Sequence, residues 1–160
     1  MNKTAVYRLM LEKLAIDLDV LQRAAQTAYE TATHEENVAE NKYDTLGLEA
    51  SYLATGQARR VEEIRQALKS CQAMTLAPYN AAQGIQVGAL VNLEAENGSA
   101  QWLFLAPDAA GLKLSHDGHS VTVITPRSPL GAALLGKQLD DEVQINVGGA
   151  AQAFTVCEID

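Results

Sequence analysis

Apolar positions in the first half of the chain recur in steps of four and three: Tyr7, Leu11, Leu14, Leu18, Leu21, Ala25, Ala28 and Ala32. That alternation is the seam of a helix packed along another helix. A second seam, Ala50, Ala54, Gln57, Val61, Ile64, Leu68 and Cys71, steps in the same way and ends ahead of Pro78, which cannot continue a helix. The first seam shrinks from Leu to Ala along the chain and the second grows from Ala to Ile and Leu, so only antiparallel pairing sets like against like. The pattern predicts a coiled-coil hairpin over residues 1–77, its arms roughly 28 residues each and on the order of 40 Å long at about 1.5 Å per residue. Alanines let the backbones approach closely at the far end. The stretch from His34 to Asp44 falls there.

Past Pro78 the period changes to two. Ile85, Val87, Ala89 and Val91 alternate with polar or small residues, and Asn97-Gly98 then supplies a hairpin turn before the strand WLFLA. Similar turn signals stand at Asp117-Gly118 and Gly148-Gly149. Between them SPLGAALLGK reads as a short helix, with Ser128 as cap, Pro129 in the first turn and Gly136 past the end. Residues 78–160 are therefore expected to form a compact α+β domain, with Trp102, Phe104 and Phe154 in its core. The whole chain is α+β, a helical hairpin followed by a small mixed domain.

With 48% apolar residues in 160, the composition excludes general disorder, and only 5% aromatics favours Ala and Leu helix packing. The net charge of −8 repels nucleic acid, so any role there has to run through a partner. Cys71 and Cys157 have no CxxC spacing and suit packing in a reducing compartment. The N-terminal stretch is interrupted by charges every few residues, and no apolar run reaches membrane-spanning length, so a cytoplasmic, monomeric protein away from membranes is expected.

The charge is unevenly spread. From Glu30 to Glu49 there are six carboxylates against one Lys, and Glu36 and Glu40 stand at helical i, i+4 spacing, where like charges repel. An acidic turn of this kind is either a solvated loop or a place to hold something positive. Elsewhere, Arg59, Arg60 and Arg65 put positive charge on the second helix, spaced to pair with Glu62 and Glu63. His116 and His119 flank Asp117-Gly118, an HxxH that lacks a third protein ligand nearby and reads as a β turn. His34 opens the acidic stretch and has no assigned role.

Taken together, these residues resemble the bacterial Gre transcript cleavage factors. The likeness spans nearly the whole chain and is strongest in ITPRSPLGAALLGKQLDDEV, residues 124–143, where Ser-Pro opens a short helix, Gly-Lys closes it and paired acids lead into the last hairpin. Near the tip, AENKYD resembles the family's acidic motif through Glu40, Asn41 and Tyr43. The resemblance implies an FKBP-like C-terminal domain that docks at the rim of the RNA polymerase secondary channel, while the hairpin reaches the active centre. Tip acids there help hold a second Mg²⁺, shared with the polymerase, so that the polymerase cleaves its own backtracked transcript. Such a factor is a stimulator and not itself an enzyme.

By carry-over Glu40 matches one acid of the motif. The other belongs three residues earlier, where this chain has Asn37, a neutral and weaker Mg²⁺ ligand; Glu36, one residue away, and Asp44 are the remaining carboxylate candidates. The resemblance also implies polymerase contacts for Ser128, Pro129, Gly136, Lys137, Asp140 and Asp141, and places Arg59 and Arg60 near RNA. Two other readings stand beside this one: a non-cleaving homologue that occupies the channel and regulates initiation or pausing, motivated by Asn37, and a prolyl isomerase or ligand-binding module, for which the C-terminal half has few aromatics to wall a pocket.

Overall fold

The computed structural model describes residues 1–34 and 46–160. Three helices and six strands follow in the order α1 (Lys3–Thr33), α2 (Leu46–Ala73), β1 (Leu90–Ala95), β2 (Ala100–Leu105), β3 (Lys113–His116), β4 (His119–Ile124), α3 (Pro129–Leu134), β5 (Glu142–Val147) and β6 (Ala150–Ile159). The architecture is α+β, as the two periodicities imply. Among the described residues no helix is long and apolar enough to cross a membrane.

The chain forms two compact units. One is Glu12–Leu68; the other joins Met1–Leu11 to Lys69–Asp160. In the first unit most heptad positions are sheltered: Leu14, Ala28 and Val61 are buried and Leu18, Leu21, Ala25, Ala54, Gln57, Ile64 and Leu68 are half-buried, while Ala67, beside the seam, is buried as well. Threonines on the arms turn inward on their own helix, Thr27 donating to the Arg23 carbonyl (3.0 Å), Thr33 to Tyr29 (2.9 Å) and Thr55 to Ser51 (3.0 Å). This bonding back to the preceding turn satisfies a hydroxyl without a tertiary partner.

The second unit is built on one mixed sheet of strand order β3-β4-β2-β1-β6-β5. β2 and β4 run parallel, and the remaining neighbours are antiparallel. All three hairpins stand where the turn signals placed them. The Asp117-Gly118 and Gly148-Gly149 turns are two-residue connections with positive φ at both central positions. The Asn97-Gly98 connection is longer: Gly98 donates to the Ala95 carbonyl and Ala95 to the Ser99 carbonyl, while the Asn97 side chain accepts from the Ser99 amide.

One expected strand is shorter than its alternation suggests. β1 starts at Leu90, not near Ile85, because the chain takes positive φ at Gly84 and Gly88. Ile85 is fully buried nonetheless, held by backbone bonds to the loop after α3: its amide donates to Lys137 (2.8 Å) and its carbonyl accepts from Gly136 (2.8 Å).

Both faces of the central strands are apolar. Leu103, Phe104 and Leu105 are consecutive and all buried, as are Leu90 and Val91. Val91, Leu93, Leu103, Leu105, Val143 and Val156 gather with Leu134 of α3 on one face. On the other, cross-strand register aligns Leu90 with Phe104 and Phe104 with Val123, and the Tyr7 ring lies 6.5 Å from that of Phe104. Val6 and Met10, on the same turns of α1, are fully buried. Of the three expected core aromatics, Phe104 is fully buried, whereas Trp102 and Phe154 are half-buried.

Polar bonds fasten this second cover. Asn2 caps α1 by accepting from the Ala5 amide (3.0 Å), and the Lys3 amide donates to the Asp160 carboxylate (3.1 Å). The buried Lys3 ammonium donates to the Ala77 carbonyl (2.6 Å) and lies 3.8 Å from Asp160 Oδ1. Tyr7 donates its hydroxyl to the Cys71 carbonyl (2.9 Å). Burial of a charge is costly unless oxygen partners replace water, and Lys3 has both kinds.

Truncating the central aromatic tests this arrangement. Phe104→Ala is expected to cost about 3–5 kcal/mol in urea unfolding, and a loss below about 1 kcal/mol would show that the sheet does not need a filled second face. A second measurement uses the Cys71 thiol, which burial pushes up to about 11 from an ordinary 9.0. Because the folded value is raised, its contribution is complete below the unfolded value and is lost as pH climbs from 9.0 to about 11. Urea midpoints of the wild type should fall more steeply across that window than those of Cys71→Ala; parallel slopes would contradict the assignment.

Candidate functional site

The segment from Thr125 to Asp141 builds a compact surface from very few residues. Ser128 is extended (φ −78°, ψ 152°), and its hydroxyl accepts from the Gly131 amide (3.1 Å) while donating to the Thr125 carbonyl (2.9 Å). Pro129 occupies the first turn, where a missing amide hydrogen costs nothing. Gly131 is required by space: a Cβ there would sit 2.0 Å from the Thr125 carbonyl oxygen. Leu134 reaches the core and is fully buried, which pins α3 to the sheet.

After α3 the chain is stitched to the segment before β1. The Gly136 and Lys137 bonds to Ile85 bring two backbones so close that a Cβ at Gly84 would lie 2.3 Å from the Gly136 oxygen. The Gln138 side chain donates to the Ala81 carbonyl (2.7 Å), and its amide donates to the Asp141 carboxylate (2.8 Å). Asp140 adopts φ 67° and donates its amide to the Val156 carbonyl (2.8 Å). Ser128, Gly136 and Asp141 are thus committed to internal bonds. Pro129 and Asp140 stay exposed, and Lys137 is half-buried.

Two further members of this surface were not among the residues singled out from sequence. Leu135 is 39% exposed and Leu139 is 51% exposed, on either side of Gly136. The signal was present in the Leu134-Leu135 pair, since a helix of six residues can turn only one of two adjacent leucines inward. Arg127, one residue before the Ser128 cap, donates its guanidinium to Asp108 and the Pro107 carbonyl at 3.3 Å each.

In the hairpin, Arg59 and Arg60 are exposed on α2. Arg65 is engaged by Glu62, whose carboxyl is held below its ordinary range by the Gln66 amide and then by Arg65. Exposed apolar side chains also line these helices: Ile16, Val20 and Tyr29 on α1, and Leu48, Tyr52 and Leu53 on α2. Glu36, Asn37, Glu40 and Asp44 lie outside the described residues, and so do Asn41 and Tyr43. Their position in the chain is between Thr33, where α1 ends, and Leu46, where α2 begins.

The remaining chemistry is local. His116 and His119 face each other across the Asp117-Gly118 turn, with His116 Nε2 3.3 Å from Asp117 and the His119 ring set edge-on to Trp102. Among the described residues no group of three His, Cys, Asp or Glu side chains is placed to hold a metal ion. Burial pushes the Cys157 thiol up as well, with Glu94 and Asp140 adding to the shift.

Comparison with known proteins adds to this geometry. The chain is similar in structure to GreA factor homolog 1 (Gfh1) of Thermus thermophilus, at 22% identity over 94% of each chain and a TM-score of 0.39. It is similar to Gfh1 of Thermus aquaticus at 22% identity over 92% of each chain, with a TM-score of 0.40. A prokaryotic transcription elongation factor GreA/GreB from Nitrosomonas europaea shares 16% identity over 70% of this chain and 91% of that one, with a TM-score of 0.38. No curated protein matches. The family described as the C-terminal part of the transcription elongation factors GreA and GreB matches residues 81–160, which is the sheet, α3 and the loop that follows it. The chain therefore belongs to the GreA/GreB family of transcription elongation factors.

Proposed function

We propose that this protein occupies the secondary channel of bacterial RNA polymerase and uses acidic residues between its two long helices to promote Mg²⁺-dependent cleavage of backtracked transcripts. The carrying observation is the run of six carboxylates against one Lys from Glu30 to Glu49, of which Glu35, Glu36, Glu40 and Asp44 fall in the chain between α1 and α2, in a member of this family. Glu40 is the first ligand in this reading, with Glu36 or Asp44 as its partner. Carboxylate oxygens are the donors that Mg²⁺ prefers, and one or two of them complete a site whose other ligands come from the polymerase and water. The ion would supply electrostatic stabilisation and an activated water there. This chain's own contribution is to deliver and orient the carboxylates; it is a stimulator of the polymerase's nuclease activity, present as a cytoplasmic monomer that meets nucleic acid only through the enzyme.

Two surfaces support the reading. Ile16, Val20, Tyr29 and Tyr52 are each more than half exposed on the helices, which suits arms enclosed by a partner better than arms left in water. In the family-matched half, Leu135 and Leu139 are exposed on either side of Gly136, with the exposed Asp140 next in the chain, apolar side chains of the kind that anchor an interface. Arg59 and Arg60 would then face the RNA end.

A second reading rests on Asn37. With a neutral oxygen in place of one acid, the factor would hold Mg²⁺ too weakly to cleave and would act on initiation or pausing by occupying the channel.

Stalled, backtracked complexes incubated with the protein and Mg²⁺ are expected to release short 3′ RNA fragments, and Glu40→Ala should lower that rate by about tenfold or more, since it removes a charged metal ligand. An unchanged rate would reject Glu40; no release from the wild type, with retained competition against a cleaving factor, would establish the second reading. Leu139→Asp should weaken that competition by about tenfold, as expected for a central apolar anchor worth about 1–2 kcal/mol, while leaving the urea midpoint unchanged. Full competition by this variant would move the docking surface elsewhere.

A further inference from the structure

The sheet has an open edge inside it. β6 is ten residues long and β1 is six, so their pairing ends at Ala95 with Phe154. β5 accompanies β6 further, through Ala153, Gln152 and Ala151 to Ala150. The stretch Ala150–Ala153 therefore has a strand on one side only, and on the other side a cleft of about 380 Å³ separates it from the turn at Glu96 and Asn97.

The register decides which groups face that cleft. Gly148 and Gly149 form a two-residue turn with positive φ at both positions, which makes Val147 and Ala150 a mutually hydrogen-bonded pair. Counting along β6 by twos, Gln152 and Phe154 also bond towards β5, so Ala151 and Ala153 turn their amide and carbonyl groups to the open side. Their methyl side chains cover little of it. Sheet edges of this kind are usually blunted by Lys, Pro or a bulge, and Gly-Gly-Ala-Ala-Gln-Ala has none of these.

Charge narrows the choice of occupant. A neighbouring hollow of about 240 Å³ is lined by Glu94, Glu96, Glu142 and Phe154. Glu94 and Glu142 both sit opposite Thr155, one on each adjoining strand, so they share a face. Glu142 accepts a hydrogen bond from Gln144 (2.9 Å), and among the described residues none of the three carboxylates is in a salt bridge with a cation. A second copy of this chain would bring the same acids and a net charge of −8.

We infer that the β6 edge at Ala151 and Ala153 binds an extended, basic peptide segment of a partner protein by strand addition, with Glu94, Glu96 and Glu142 receiving its cationic side chains. Main-chain bonds to the edge supply affinity, and alternate Lys or Arg residues on one face of the added strand supply selection. The gap accommodates about four residues at roughly 3.4 Å each. Its lining residues are none of those assigned above to the α3 surface or to metal binding, so its occupation does not require transcript cleavage.

The test uses the full chain and a fluorescent, end-blocked peptide of about seven residues alternating Lys and Val, with two controls: the same peptide N-methylated at alternate amides, and its Glu-Val counterpart. Anisotropy titration is expected to show saturable binding of the Lys-Val peptide, and binding at least about tenfold weaker for each control, since one loses the main-chain bonds and the other the charge match. Glu94→Gln combined with Glu142→Gln should weaken binding by about three- to tenfold. Amide exchange should slow at Ala151 and Ala153 in the complex. Absence of saturable binding, equal binding of the N-methylated peptide, equal binding of the Glu-Val peptide, which would indicate an anion-tolerant surface, or unchanged exchange at those two alanines would overturn the proposal. The N-methylated control compares ligands on unaltered protein, so the outcome does not depend on any variant folding.

Discussion

The structure depends on the need to cover a sheet on both of its faces. Three consecutive apolar residues, Leu103, Phe104 and Leu105, put large side chains on opposite sides of β2, and Leu90-Val91 does the same in β1. A strand of this kind cannot leave one face to water without exposing several hundred Å² of apolar surface, far more than an isolated exposed residue costs. α3 supplies one cover through Leu134. The first turns of α1 supply the other, with Val6, Tyr7 and Met10, so the beginning of the chain belongs to the same folding unit as its last ninety-odd residues. Lys3 shows how strictly the second cover is held: its ammonium is buried against the Ala77 carbonyl and the Asp160 carboxylate, bonds that exist only when all three segments are in place.

The same economy explains the surface around α3. Folding consumes the Ser128 hydroxyl, the Asp141 carboxylate and the backbone groups of Gly136 and Lys137, because the loop would otherwise bury unsatisfied polar atoms. What folding does not use is what a partner can use. Leu135, Leu139, Pro129 and Asp140 are left over, on a segment held by the Ser128 cap and by the backbone bonds between Ile85 and Gly136 and Lys137. Apolar side chains on a backbone already fixed by folding lose little further entropy on docking, which favours the proposed use of this surface. On the hairpin side, the proposed work is done by charge: a thin pair of helices needs only a few kinds of side chain inside its seam, and the rest of its surface is free to carry acids, arginines and exposed tyrosines.

Much of this was legible in the order of residues. The heptad steps named the sheltered positions Leu14, Ala28 and Val61, the Gly-containing dipeptides marked all three hairpins, and Ser128-Pro129 announced α3 with its cap. These signals are local: each depends on residues three or four apart, or on one residue's allowed φ. Where local signals conflicted with distant contacts, they misled. Period-two alternation over Ile85–Val91 marked burial at Ile85, Ala89 and Val91 but not at Val87, and did not mark strand before Leu90, because Ile85 is bonded to the loop after α3 and the glycines on either side of it bend the chain. Of the other two expected core aromatics, Phe154 is half-buried and packs against the Leu134 cluster, whereas the half-buried Trp102 sets its ring against His119.

By itself, then, the amino-acid order determined the elements, their turns, the α+β class and the concentration of acid between two long helices, since all of these arise from short-range sterics and from charge that any fold would have to carry. Only the tertiary structure decided which face of the sheet each helix covers, that Lys3 and Asp160 meet, that Leu135 and Leu139 stay outside, and that β6 outruns β1 and leaves an edge beside Glu96. Those outcomes depend on which distant strands become neighbours and where their registers end, and a register is a relation between segments that neither segment encodes alone.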